Sequence, residues 1–150
     1  MLISTPNLCI GCHSCEVACK QINNLPLGVF RIKVEDVEPK YNANGKIMMR
    51  IRIVRCTQCE KPQCVNICPR GALRKREDGV VVVEKSLCTG CKICIDACPI
   101  HAIWFNPETG KIEKCNLCVD KEISEPFCAK HCITGALRYS ISNSSSWIPW

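Results

Sequence analysis

Two stretches of the chain alternate apolar and polar residues with the period of two that a half-buried strand requires. In 29–37, Phe30, Ile32 and Val34 fall on one face, with Arg31, Lys33 and Glu35 on the other. In 47–53, Ile47, Met49, Ile51 and Ile53 oppose Met48, Arg50 and Arg52. Asn44-Gly45 lies between them as a turn signal, so the two stretches predict a hairpin. A second hairpin is expected over 72–76 and 80–83, turning at Glu77-Asp78-Gly79, and a third over 102–105 and 111–113, turning at 106–110. Helical patterning is confined to one or two turns, at 16–21, 65–68, 93–98 and 129–132. Elements this short cannot enclose much apolar core, so something besides hydrophobic burial must supply much of the folding energy.

Cysteine changes the picture. The sixteen Cys fall into four quartets that use every one of them. The first is Cys9, Cys12, Cys15 and Cys19, and the third is Cys88, Cys91, Cys94 and Cys98; in both the gaps are two, two and three residues. The second is Cys56, Cys59, Cys64 and Cys68, with a middle gap of four, and the fourth is Cys115, Cys118, Cys128 and Cys132, with a middle gap of nine. The last gap of three never changes, which fits a fixed helical geometry between the third and fourth thiols. The run 88–99 reads C-x2-C-x2-C-x3-C-P, the spacing by which bacterial-type ferredoxins hold a [4Fe–4S] cluster, with the fourth Cys reaching a second cluster. Three thiols on one tight loop can wrap a face of a cube. The fourth is expected on a short helix, facing away from that loop, and Gly90 is expected to let the backbone approach the cluster. A second repeat follows three quartets: Gly71-Ala72-Leu73, His101-Ala102-Ile103 and Gly135-Ala136-Leu137. The residue before the Ala serves a left-handed turn, at some backbone cost where His101 replaces Gly.

Charge and composition narrow the chemistry. The N-terminal residues carry no basic region, no long apolar run and no twin arginine, so a cytoplasmic location is expected and a disulfide framework is disfavoured. No window approaches the length of a membrane span. The formal charge of +6 omits the cysteines. Sixteen thiolates holding four oxidised clusters would bring the total to about −2, so the basic excess reads as compensation for buried anions, not as a nucleic-acid surface. Zinc on four thiolates favours two C-x2-C knuckles, which quartet four approaches; quartets one and three crowd three thiols onto one loop and do not suit it. No dinucleotide fingerprint, P-loop or nucleophile elbow occurs, and no catalytic residue is expected on this chain.

Over about residues 5–140 the chain resembles the four-cluster, ferredoxin-like electron-transfer subunits of molybdopterin and tungstopterin oxidoreductases, of the dimethyl sulfoxide reductase beta-subunit type. The resemblance rests on 56–73, with Pro62 inside the four-residue gap, and on the wide gap between Cys118 and Cys128, with Glu125-Pro126 ahead of the third thiol. Quartet four has Ile133 where the pattern has Pro. The resemblance implies an α+β fold of tandem, nested bacterial ferredoxin-like modules, with short helices and β-hairpins around four [4Fe–4S] clusters. It implies one domain over 1–140, in which the first and fourth quartets form one half and the second and third, about 56–105, the other. It further implies that Cys9, Cys12 and Cys15 share a cluster with Cys132, and Cys115, Cys118 and Cys128 one with Cys19. Cys56, Cys59 and Cys64 would share one with Cys98, and Cys88, Cys91 and Cys94 one with Cys68. The spacing itself supports exchange of the fourth thiol without fixing which quartets pair.

The function this implies is electron transfer to or from a separate catalytic, pterin-containing subunit. In size the chain is similar to the small iron–sulfur subunits of soluble tungsten aldehyde oxidoreductases. A further redox subunit or a soluble ferredoxin is expected at the other end. The alternatives are a free polyferredoxin, a hydrogenase- or formate-dehydrogenase-associated protein, or a homo-oligomer conducting along a filament. His13, His101 and His131 read as loop, packing or surface residues, and Trp104 and Phe105 as core. Arg31, Lys33, Arg50 and Arg52 read as a solvated sheet face or a docking patch for an acidic partner. The Ser-rich tail 141–150 carries Trp147 and Trp150, which suit either a disordered end or anchors for a partner's pocket.

Overall fold

The structure is a computed structural model and is described over residues 1–140, excluding the side chains of residues 38 and 48–50. The expectations for Met48, Met49 and Arg50 and for the tail with Trp147 and Trp150 lie outside the described residues.

The three expected hairpins form. Strands β2 (Ile32–Tyr41) and β3 (Ile47–Arg55) pair antiparallel from Ile32 opposite Arg55 to Tyr41 opposite Ile47. Their register shifts between Val37 and Lys40, where Pro39 has no N–H to give to a ladder. Strand β4 (Leu73–Lys75) pairs with β5 (Val81–Val83), and β6 (Ile103–Asn106) with β7 (Lys111–Lys114). A fourth pairing was not legible in the pattern. Strand β1 (Leu2–Ser4) lies antiparallel to β8 (Leu137–Tyr139), joining two ends of the described protein. Three residues are too few to show alternation, and no local turn announces a partner so distant in sequence.

The helices differ from expectation in register and length. Helix α1 (Ser14–Asn23) runs ten residues, because no sharp bend follows Cys19. Helices α2 (Gln63–Asn66), α3 (Ile93–Asp96) and α4 (Phe127–Lys130) are single turns. Cys68, Cys98 and Cys132 therefore lie just beyond their helices and not on them. The backbone turns there through the expected left-handed residues, with φ of 61° at Gly71, 51° at His101 and 65° at Gly135. The alanine after each bend is buried, which explains its recurrence.

The core is small, and nearly a third of its clustered buried residues are cysteines. Leu2, Ile32, Val34, Val54 and Leu137 pack with Cys15, Cys19, Cys56, Cys115 and Cys128 in one cluster, and Leu73, Val81, Ile103 and Ile112 with Cys94 in another. Trp104 is partly buried against the first cluster and tilts against Phe30, with ring centroids 6.2 Å apart. Lys92 extends over the ring of Phe105.

One sequence expectation is corrected here, and one glycine has a further reason for its place. The solvated basic face is only partly solvated: Lys33 and Arg52 flank Glu35 on the outside of the hairpin, but Arg31 turns inward to Glu113. Gly90 is needed for a protein neighbour as well. A Cβ there would lie 2.0 Å from the Gly110 carbonyl oxygen and 3.2 Å from the Phe105 ring, so the glycine admits the β6–β7 turn against the third cysteine loop.

Gly90→Ala combines that overlap with a φ of +71° and is expected to cost about 3 kcal/mol or more. Gly71→Ala has a similar φ of +61° with nothing near its Cβ, and should cost only about 1–2 kcal/mol. Denaturant unfolding of the two variants side by side measures the difference.

Candidate metal centres

The four cysteine loops share one backbone device. The residue before the second Cys is left-handed in every quartet: Gly11 (φ 69°), Gln58 (55°), Gly90 (71°) and Leu117 (56°). In each loop the bend falls between the first and second thiols. Only Gly11 and Gly90 signal it in the sequence.

The thiols gather in sets that cross between quartets. Cys19 joins Cys115, Cys118 and Cys128 around one cavity. Cys68 joins Cys88, Cys91 and Cys94 around a second. Cys64 lies within electrostatic reach of Cys56, Cys59 and Cys98. Cys15 lies within reach of Cys9 and Cys132, and Cys12 sits on the same loop with its sulfur 3.5 Å from Ser14 Oγ. Each grouping combines thiols of one quartet with the last thiol of another. Among the described residues no three His, Cys, Asp or Glu meet at the distance of a single bound ion. His13 pairs with Glu16, His101 supplies the left-handed bend, and His131 rests on the Phe127 ring.

The last thiol of each quartet accepts an N–H. The backbone N–H groups of Ala72, Ala102 and Leu137 donate to the sulfurs of Cys68 (3.3 Å), Cys98 (3.4 Å) and Cys132 (3.2 Å). These donors are delivered by the left-handed bends. Cys19, whose helix continues without a bend, takes its N–H from the side chain of Asn23 instead, at 3.6 Å. Asn23 is itself held by Arg31, whose guanidinium donates to Asn23 Oδ1 at 2.8 Å. N–H groups aimed at sulfur favour the thiolate. At Cys68 burial raises the pKa, but the backbone N–H groups of residues 70–73 outweigh it and leave the thiol below its ordinary value. The Ser14 hydroxyl and N–H likewise lower Cys12.

Deeper in the protein the balance reverses. Burial pushes Cys15, Cys19 and Cys94 up to about 12, with neighbouring acidic groups and thiols adding to it, and raises Cys115 and Cys128 as well. Such thiols become thiolates only against a cation of their own, which a metal core supplies. The surrounding protein is built for the anionic product. Arg55 and Lys114 are buried, at 7% and 2% exposure, without a carboxylate partner among the described residues. Arg55 donates to the Leu2 carbonyl (2.7 Å) and the Cys56 carbonyl (3.2 Å), and its Nε meets no acceptor. Lys114 donates to the carbonyls of Cys115 (2.7 Å) and Val81. A buried cation without a carboxylate needs a negative neighbour, and the nearest candidates are the thiols. The donor set and its surroundings fit iron–sulfur clusters, whose thiolate-ligated form is anionic.

Sequence reasoning missed these cations. One signal was available: quartets two and four are each preceded by a cation, Arg55 and Lys114, whereas one and three are preceded by Leu8 and Leu87. It also missed Glu113, a buried carboxylate that takes Arg31 (2.8 Å) and Lys85. Gln58 went unseen as well. Its side chain clamps the Cys115 carbonyl (3.0 Å) and the Val81 N–H (2.9 Å).

Sulfur ligands on repeated loops, amide donors to sulfur and buried counter-charges define an iron–sulfur protein. A family described as a 4Fe–4S dicluster domain matches residues 47–141, and a second of the same description matches residues 8–72. The chain is 39% identical over 145 residues to the thiosulfate reductase electron transfer subunit PhsB of Salmonella typhi, covering 95% of this chain and 76% of that one. It is 40% identical over 141 residues to the B subunit of polysulfide reductase from Wolinella succinogenes, covering 92% and 74%. With the B subunit of anaerobic dimethyl sulfoxide reductase from Escherichia coli it shares 37% over 139 residues, covering 87% and 68%. The protein belongs to this 4Fe–4S dicluster family of iron–sulfur subunits, of the dimethyl sulfoxide reductase beta type, and carries four [4Fe–4S] clusters. No helix among the described residues is long and apolar enough to cross a membrane.

Glu113→Leu leaves Arg31 buried beside Asn23 with no carboxylate. The expected loss is about 3 kcal/mol, the usual scale for stranding one partner of a buried ion pair, measured by denaturant unfolding.

Proposed function

We propose that the protein conducts electrons through its four clusters as the iron–sulfur subunit of an oxidoreductase complex, with Cys9, Cys12, Cys15 and Cys132 holding one cluster. Cys19, Cys115, Cys118 and Cys128 hold another, Cys56, Cys59, Cys64 and Cys98 a third, and Cys68, Cys88, Cys91 and Cys94 the fourth. The observation that carries this reading is the crossing of thiols between quartets, which interlocks four centres in one small body. Each cluster, when bound, takes or gives one electron. The protein's own residues hold it, donate N–H groups to its sulfurs, and cover it with apolar side chains that exclude water.

The catalytic partner is a separate pterin-containing subunit, in keeping with the resemblance and with relatives that are named as components of reductases. Those names speak of thiosulfate, polysulfide and dimethyl sulfoxide, which supports a partner that reduces an oxidised sulfur compound. A further redox subunit or a soluble ferredoxin exchanges electrons at the other end. Anaerobic co-purification from the native source tests the partner: a large catalytic subunit is expected, and a lone 16.8 kDa species would argue against the complex.

Two measurements test the centres. Anaerobic reconstitution should give about sixteen irons per chain. The pairing is read from double variants: Cys56→Ala with Cys98→Ala should remove one cluster, about four irons, while Cys56→Ala with Cys68→Ala should remove two, about eight. The opposite result would mean that each quartet keeps its own fourth thiol.

A further inference from the structure

Arg55 ends β3 and Lys114 ends β7, and each is followed directly by the first thiol of a quartet. Arg31, Arg55 and Lys114 are buried or nearly buried near the thiols, but they differ in one respect. Arg31 is neutralised by Glu113, whereas among the described residues Arg55 and Lys114 meet only carbonyl and hydroxyl oxygens. Arg55 lines the cavity of Cys19, Cys115, Cys118 and Cys128, and Cys56 of the neighbouring set is also within its electrostatic reach. Lys114 reaches Cys115 of the one set and Cys64 of the other. The two cations thus stand between the same two thiol sets and face both. Beside the set of Cys68, Cys88, Cys91 and Cys94 the lining cations, Arg70 and Lys92, are exposed and screened by water. In the remaining set the charged groups that act most on Cys15 are Glu16, Cys132 and Cys9, all of which add negative charge.

We propose that Arg55 and Lys114 are fixed counter-charges that raise the electron affinity of the two clusters they face above that of the other two. Each one-electron reduction adds one negative charge and breaks no bond; the electron comes from an adjacent cluster and is passed to the next. A cation buried beside the reduced form stabilises it more than the oxidised form, and low local polarity magnifies the difference. The relay then has a stretch in which electrons rest, flanked by clusters that hold them less tightly. This rests on the cluster assignment proposed above.

The experiment is an anaerobic potentiometric titration of the iron-loaded protein, followed by electron paramagnetic resonance, with iron counted in every sample. Arg55→Gln and Lys114→Gln should each lower the reduced-to-oxidised ratio of the same two clusters by about tenfold or more at fixed potential, which is about 59 mV for a one-electron couple. The other two clusters should stay put, and Arg55→Lys should keep most of the wild-type value. Unchanged potentials in fully loaded variants, an equal shift of all four clusters, or an Arg55→Lys shift as large as that of Arg55→Gln would overturn the proposal. Loss of clusters in both Gln variants would also overturn it, assigning the cations to folding alone. A wild-type protein with far fewer than about sixteen irons would instead sink the cluster assignment itself.

Discussion

A thiolate out of water is unstable unless something positive or hydrogen-bonding replaces the solvent, and this protein places sixteen sulfurs in a body of 150 residues. Most of its architecture answers that constraint. The left-handed bends after the second, third and fourth quartets turn backbone N–H groups onto the last sulfur. Where helix α1 rules out such a bend, Asn23 supplies the donor and Arg31 and Glu113 hold Asn23 in place. The burial that lifts Cys15, Cys19 and Cys94 to about 12 also shields their sulfurs from water. Metal binding is therefore expected to contribute to folding, with the metal core supplying the cation that buried thiolates require.

The apolar contribution is correspondingly modest. Apart from helix α1 and the hairpin β2–β3, the strands have three or four residues and the helices a single turn, and cysteine and alanine supplement the Leu, Ile and Val of the core. The alanine after each bend shows the economy of this arrangement. It is small enough to bury where its own N–H must reach a sulfur, or where the next residue's N–H does, as at Cys132.

What the sequence revealed is what repeats locally. Cysteine spacing disclosed the quartets, alternation disclosed the first hairpin and turn signals between short strand-like runs the other two, and the Gly-Ala steps disclosed the bends, including the strained one at His101. What it hid is what depends on distant neighbours. Arg31 reads as an outward strand residue until β7 brings Glu113 beneath it. The sequence around Gly90 gives no sign of the β6–β7 turn that packs against it. Gln58 and Leu117 adopt the bend that Gly11 and Gly90 advertise, but a side chain there gives no signal. The helix ends were misplaced because the cysteine spacing shows that a turn of helix precedes the fourth thiol, not that the thiol has already left it.

The pairing of β1 with β8 bears on how such a molecule comes into being. Leu2 meets Tyr139 from the far end of the described protein, and Cys15 waits for Cys132. On the ribosome the hairpins β4–β5 and β6–β7 emerge with their partners close behind, so the middle of the protein has its own residues at hand early. On the pairing proposed above, the first quartet, although it is synthesised before the other three, stands open until the fourth has been made. The earliest of the four cysteine loops is thus among the last to be enclosed.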